Sequence, residues 1–408
     1  MENTMNNIDL DFDDELDIDL DNEDDVLDQL NLDEIKDESN QDSGSESKTV
    51  LDYSDLHTGN EPVQASILEI DDIFNDSISD YESFDQSAWN KKHGYKIPHF
   101  PFMEKMLEGL DEGMYLFAAE SNCGKTAIMT NIMFDACTYP ENKLFGLYYS
   151  LDDNKNLVIP RLIGMIENIP ISVGAKPARY HDQIDMMTSD DPRREQYKKF
   201  LEKRENGINK LKNYHNCFKI MDTNDIQYAE DIEKHMEKTI VQIRATLGDD
   251  YNIIVAIDAL DDIRFQTARF GTETERHIKI AKTVKDWSTK FHIPIFGSRH
   301  LNKLRMDRRP TLDDLKDTSE YVYEASMVFL LYNEVGKKKQ AASIYFTAAG
   351  QNNVEENMRE KKPVIEIDWA KNKVSSYKGK SYCYFIPEFS KAIEVSEQDK
   401  TRFDSLTY

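Results

Sequence analysis

Ser121, Asn122, Cys123, Gly124, Lys125 and Thr126 close the stretch Ala119-Glu-Ser-Asn-Cys-Gly-Lys-Thr126, whose residue types can hold a polyphosphate. The apolar run Tyr115–Ala118 precedes it, and a helix-favouring stretch from Ala127 to about Ala136 follows. A loop between strand and helix that ends in Gly-Lys-Thr can aim several backbone N–H groups at phosphate oxygens. Lys125 adds a point charge, and the Thr126 hydroxyl can reach a magnesium ion. The positive end of the following helix dipole falls on the same anion. The general pattern begins with Gly, and Ala119 holds that place here. An ordinary strand-turn-helix without a ligand is the competing reading.

Such a loop needs a second carboxylate for the metal, at the end of a neighbouring buried strand. Tyr251-Asn-Ile-Ile-Val-Ala-Ile-Asp258 supplies Asp258 after five apolar residues. Hydrolysis also needs a group that orients water. The run Phe145–Leu151 delivers Asp152 at the carboxyl end, where ligands bind in parallel sheets. Asp152 or Asp153 is equally suited to cap a helix beginning at Asn154. A third run, Ile293–Phe296, leads into Gly-Ser-Arg-His-Leu-Asn-Lys303, placing His300 where a polar residue can touch a terminal phosphate.

These residues require a sheet to carry them. Further strand-like runs occur at Phe218–Met221, Met327–Tyr332, Ser343–Thr347, Val364–Trp369 and Tyr382–Ile386. The first six strands alternate with helical stretches, among them Thr272–Phe291 with Ile278, Ala281, Val284, Trp287 and Phe291 on one face. That alternation predicts an α/β fold with a mainly parallel sheet covered on both sides. The last three strands lack intervening helices and predict an antiparallel extension at one edge.

Charge divides the chain. Residues 1–90 hold 29 Asp and Glu against only Lys36 and Lys48, while residues 91–408 balance at 48 acidic and 48 basic. Residues 1–63 have too few large apolar side chains to offset their ordering entropy, and are expected to be a disordered acidic tail. Within it Ile8, Leu10, Phe12, Leu16, Ile18 and Leu20 alternate with carboxylates, a pattern suited to a basic partner or simply to solubility. Residues 64–90 read as a linker with a short helix over about 67–84, residues 91–395 as the main domain, and 396–408 as a C-terminal tail. The four cysteines suggest neither a zinc site nor a disulfide framework. No signal sequence or long apolar run is present, and a cytoplasmic location is expected (host cytoplasm for a viral protein).

Residues 95–395 resemble the motor domain of DnaB-like hexameric replicative helicases, including those of tailed phages. Gly109-Leu-Asp-Glu-Gly113 resembles the turn before that family's first strand, and its phosphate loop also often begins with Ala. Ser150-Leu-Asp-Asp153 resembles Ser-Leu-Glu-Met, with Arg161 at the offset of a family arginine. Arg299-His-Leu-Asn-Lys303 resembles Ser-Gln-Leu-Asn-Arg. Arg309-Pro-Thr-Leu-Asp-Asp-Leu-Lys-Asp-Thr-Ser319 resembles the loop that holds single-stranded DNA, and Ala370-Lys-Asn-Lys373 lies where the family has Lys-x-Arg.

The resemblance implies a RecA-like P-loop NTPase fold and an ATP-driven translocase on single-stranded DNA, assembled as a homohexameric ring. Lys125, Thr126 and Asp258 would bind ATP and Mg2+, with Thr126 and Asp258 at the metal. Asp152 would orient water, and His300 would sense the γ-phosphate. Lys371 and Lys373 would reach across to the next subunit's ATP. Lys316 and the backbone from Asp317 to Ser319 would grip DNA. A primase, polymerase or loader is the implied partner of the tail, and the 67–84 helix would tie subunits together. Asp152 in place of Glu, Lys373 in place of an arginine finger and Ser319 in place of Gly are departures. So is the acidic tail, which stands where the family has an N-terminal helical domain. A slower or partner-dependent motor is expected from them. Two other classes share these motifs: a RecA-class recombination mediator or helicase loader, and a nucleotide-binding scaffold working through its acidic tail.

Overall fold

Strand β1 (Gly113–Ala119) is buried along its whole length, as a central strand covered on both faces must be. In the computed structural model, which describes residues 78, 94–302, 308–315, 319–347 and 360–407, β1 lies near the middle of a ten-stranded sheet. Strands β2 (Leu144–Ser150), β3 (Phe218–Asp222), β4 (Asn252–Asp258), β5 (Pro294–His300) and β6 (Met327–Asn333) join it. Then come the two-residue β7 (Tyr345–Phe346), β8 (Lys362–Asn372), β9 (Lys380–Ile386) and β10 (Lys391–Glu394). Across the sheet the order is β10-β9-β8-β6-β1-β5-β4-β2-β3, with β7 paired to β8 off that path. Pairs among β1 to β6 are parallel, whereas β6–β8, β8–β9, β9–β10 and β7–β8 are antiparallel. The parallel sheet with an antiparallel edge is thus as the sequence predicts.

Eleven helices connect the strands among the described residues. They are α1 (Pro101–Leu107), α2 (Lys125–Thr138), α3 (Lys155–Glu167), α4 (Ile171–Ala175), α5 (Pro177–Met186) and α6 (Pro192–Asn213). After these come α7 (Ala229–Leu247), α8 (Glu273–Phe291), α9 (Glu320–Glu324), α10 (Glu334–Lys338) and α11 (Glu397–Thr407). Helix α2 is buried nearly all round, the signature of a helix inside the molecule rather than on its surface. Asn131 in its middle ties it to the start of β10: Nδ2 donates to Ser390 O at 2.9 Å, and Oδ1 accepts from the N–H of Ala392.

The two-residue period of a strand sorts each side chain to a face. Tyr115, Phe117 and Ala119 of β1 pack in the cluster that holds α2, and Met114, Leu116 and Ala118 in the cluster with α7 and α8. By the same alternation, Ser298 and His300 of β5 face the α2 side, and Arg299 faces α8.

Three expectations are corrected or bounded. Residues 396–408 are no loose tail: α11 buries Phe403 against Tyr382 and lies in one unit with the rest of Lys91–Tyr408. Strand β10 carries only Ala392 and Ile393 as apolar residues, too short a run to read from sequence. The buried face of α8 uses Ile280 where Ile278 is expected, together with Ala281, Val284 and Trp287. The acidic tail, the 67–84 helix, Lys316 and Asp317 lie outside the described residues, of which Ile78 alone falls in that helix.

Candidate nucleotide site

The phosphate loop turns through left-handed backbone at Asn122 (φ 61°) and Gly124 (φ 89°). Gly124 has a second reason to be glycine: a Cβ there would lie 2.5 Å from Ile365 Cδ1 of β8. The loop ends as Gly124 caps α2, so the free N–H groups of the first helical turn point along the loop.

Lys125 is buried, and its Nζ donates to the carbonyl oxygens of Ala119 and Glu120, both at 3.1 Å. The same Nζ lies 3.3 Å from His300 Nδ1. An ammonium can only donate, so this contact leaves Nδ1 as the acceptor of a neutral imidazole. Burial pulls the Lys125 ammonium below its ordinary value, while Asp258, Asp261 and Asp152 pull it back up. Burial, followed by the Lys125 charge, likewise lowers His300 and keeps it neutral.

Asp258 is the hub. Its Oδ2 accepts from Thr126 Oγ1 at 2.7 Å and from the Tyr148 hydroxyl at 2.9 Å, and Ser298 Oγ donates to Oδ1. Its backbone carbonyl accepts the N–H groups of Leu151 (2.6 Å) and Asp152 (3.0 Å). That pair ties the end of β2 to the end of β4 and sets Asp152, exposed, beside the other two carboxyl-edge groups. Sequence alone gives no sign of Tyr148 or Ser298 as partners, because their roles depend on strand order and not on local pattern.

Asp152 and Asp153 do not cap α3. Asn154 occupies the cap position, and the N–H of Lys155 goes to Asp222 Oδ2 from β3 at 3.0 Å. Asp153 instead holds Arg161 at 2.5 Å. The capping alternative for Asp152 therefore falls.

Lys371 and Lys373 sit elsewhere. Lys371 pairs in register with Val328 at the amino end of β6, whereas the phosphate loop follows the carboxyl end of β1. Their ammonium groups rest on the carboxyl end of α9. Lys371 donates to Val322 O, Tyr323 O (3.0 Å) and Ala325 O (2.7 Å), and Lys373 to Tyr323 O at 2.9 Å. Burial, with Lys373 alongside, lowers Lys371 to about 8. Within one chain these lysines do not meet Lys125. Ser319 stands at the start of α9 with no side-chain capping bond. Arg309, in the same expected DNA segment, forks two of its nitrogens onto the buried Glu366 of β8, at 2.7 and 2.9 Å.

A cavity of about 670 Å³ opens beside the loop, lined by Ser121, Asn122, Cys123, Asn333 and Lys337 among others. Glu120, at the head of the loop, is ion-paired with Lys337 of α10. Among the described residues no group of three or more His, Cys, Asp or Glu side chains could hold a metal unaided. Thr126 Oγ1 and the Asp258 carboxylate are hard oxygen donors already 2.7 Å apart. They suit a magnesium ion that takes its other ligands from phosphate and water.

Residues 98–389 match the family described as DnaB-like helicase C terminal domain. Among solved structures, a helicase-fold chain described as an "ATPase Domain" is similar at 18% identity and a TM-score of 0.59, over 79% of this chain and 99% of that one. A second, "The Structure Of A DnaB-Like Replicative Helicase And Its Interactions With Primase", is similar at 20% identity and a TM-score of 0.58. It is matched over 74% of this chain and 64% of its own. These likenesses show the fold, and none of the curated proteins matches. With a family match over most of its length, and a phosphate loop, metal-site carboxylate and polar strand end converging at one sheet edge, the chain belongs to the DnaB-like helicase C-terminal domain family.

Proposed function

We propose that this protein is an ATP-hydrolysing replicative helicase of phage type that moves on single-stranded DNA as a homohexameric ring. The observation that carries the reading is the meeting of Lys125, Thr126, Asp258 and His300 at the carboxyl edge of β1, β4 and β5. Bound magnesium would neutralise charge on the β- and γ-phosphates. The residues do the rest. Loop N–H groups and Lys125 hold the phosphates, Thr126 and Asp258 hold the ion, and Asp152 orients the attacking water. His300, a neutral imidazole against Lys125, donates or accepts at the γ-phosphate and registers its loss. Lys371 and Lys373 serve a neighbouring subunit's triphosphate, since in their own chain they face away from it. Lys316, Asp317 and Ser319 grip DNA phosphates. The acidic tail is the surface for a primase, polymerase or loader.

A forked-duplex unwinding assay with MgATP tests this. The wild type separates the strands, and Lys125→Ala loses at least about 100-fold in turnover and in unwinding. ATP turnover without strand separation would transfer the chain to the recombination mediators. No turnover at all, with or without single-stranded DNA, would make it a scaffold.

A further inference from the structure

Arg299 is fully buried on the α8 face of β5, one residue before His300 and pointing the opposite way. A buried guanidinium is costly unless its charge is met. Here NH1 lies 3.0 Å from Asp261 Oδ1 and 3.2 Å from His277 Nδ1 of α8, and the guanidinium plane covers the Tyr321 ring at 3.9 Å. The Tyr321 hydroxyl in turn lies 3.2 Å from His277 Nδ1. Each partner belongs to a different functional part. Asp261 sits in the turn Leu260–Asp262 directly after Asp258, and its charge acts on both Lys125 and His300. Tyr321 lies in the first turn of α9, two residues beyond Ser319. Arg299 thus bridges the metal-site turn and the segment that closes the DNA-facing loop.

We propose that Arg299 is a positioning residue that couples nucleotide state to the DNA-facing segment through Tyr321. This rests on the helicase reading above. His300 and the Asp258–Asp262 turn cannot shift as a γ-phosphate is bound or lost without displacing the guanidinium between them. Tyr321 follows, because the stack and the Asp261 pair share one rigid plane. Lys371 and Lys373 hold the carboxyl end of the same short helix, so α9 is tethered at both ends. Lysine could replace the charge but neither the plane nor the fork.

Steady-state ATP turnover with and without an oligo-dT strand tests the assignment, with thermal unfolding of each variant as a control on folding. The wild type is stimulated by the strand. Arg299→Lys and Tyr321→Leu keep turnover without DNA within about twofold, but their stimulation falls about fivefold or more. Tyr321→Phe, which retains the ring, keeps the stimulation. The double variant Arg299→Lys/Tyr321→Leu is no worse than either single one, as expected of residues acting as a unit. Wild-type stimulation in both Arg299→Lys and Tyr321→Leu would overturn the assignment. So would an equal fall in turnover with and without DNA, which is what a merely structural role gives. A wild type that DNA does not stimulate would instead remove the helicase reading, and this inference with it.

Discussion

Lys125 holds two backbone carbonyls and faces His300, yet it is the residue expected to hold phosphate. Both contacts are ones an incoming anion can replace, because the ammonium stands on a flexible stem with three donors. Asp152 differs in kind: it is exposed, and the cap role goes to Asp222 through Lys155. We therefore expect Asp152→Asn to lower single-turnover ATP hydrolysis at least about 100-fold, with binding of a fluorescent nucleotide analogue unchanged. Hydrolysis at the wild-type rate would leave Asp152 a bystander. Lys125, Thr126 and Asp258 are legible in the sequence because each is fixed by a local pattern, a loop or a strand end. Tyr148, Ser298, Asp261 and Arg299 are not, since their contacts exist only once β2, β4 and β5 lie side by side.

At the scale of elements, β10 and α1 meet through one carboxylate. Glu394 accepts the N–H groups of Phe102 at 2.6 Å and Met103 at 3.1 Å, both in the first turn of α1. Burial outweighs those two bonds and pushes Glu394 up to about 7. An unfolded glutamate titrates near 4.5, so between about 4.5 and about 7 the folded chain keeps a proton that the unfolded chain has released. Stability from this group is therefore complete below the unfolded value and lost as pH rises through the folded one. We expect Glu394→Gln to remove that slope, closing a gap of up to about 3 kcal/mol between pH 5 and pH 8 in denaturant unfolding. An identical pH dependence in wild type and variant would show that the carboxyl is not held neutral. The long buried strands and α8 are legible from their periodicity. Strand β10 and helix α11 are not: the helix brings little apolar surface beyond Phe403 and Leu406, and tertiary packing of Phe403 decides it.

At the scale of the whole molecule, the strong acidity belongs to residues 1–90, and the balanced remainder leaves its basic residues available to clustered roles. The sheet sets Lys125 at one edge and Lys371 with Lys373 toward the other. A single chain cannot bring these two sets to one triphosphate, whereas a head-to-tail ring of identical chains does so at every interface. Complementation between two inactive variants measures this directly. Lys125→Ala lacks a working loop, and the double variant Lys371→Ala/Lys373→Ala lacks the lysines offered to a neighbour. Mixed in equal amounts with MgATP and single-stranded DNA, they should recover about a quarter of wild-type turnover, from interfaces that pair an intact loop with intact lysines. Turnover no greater than the average of the two variants assayed alone would contradict the shared site.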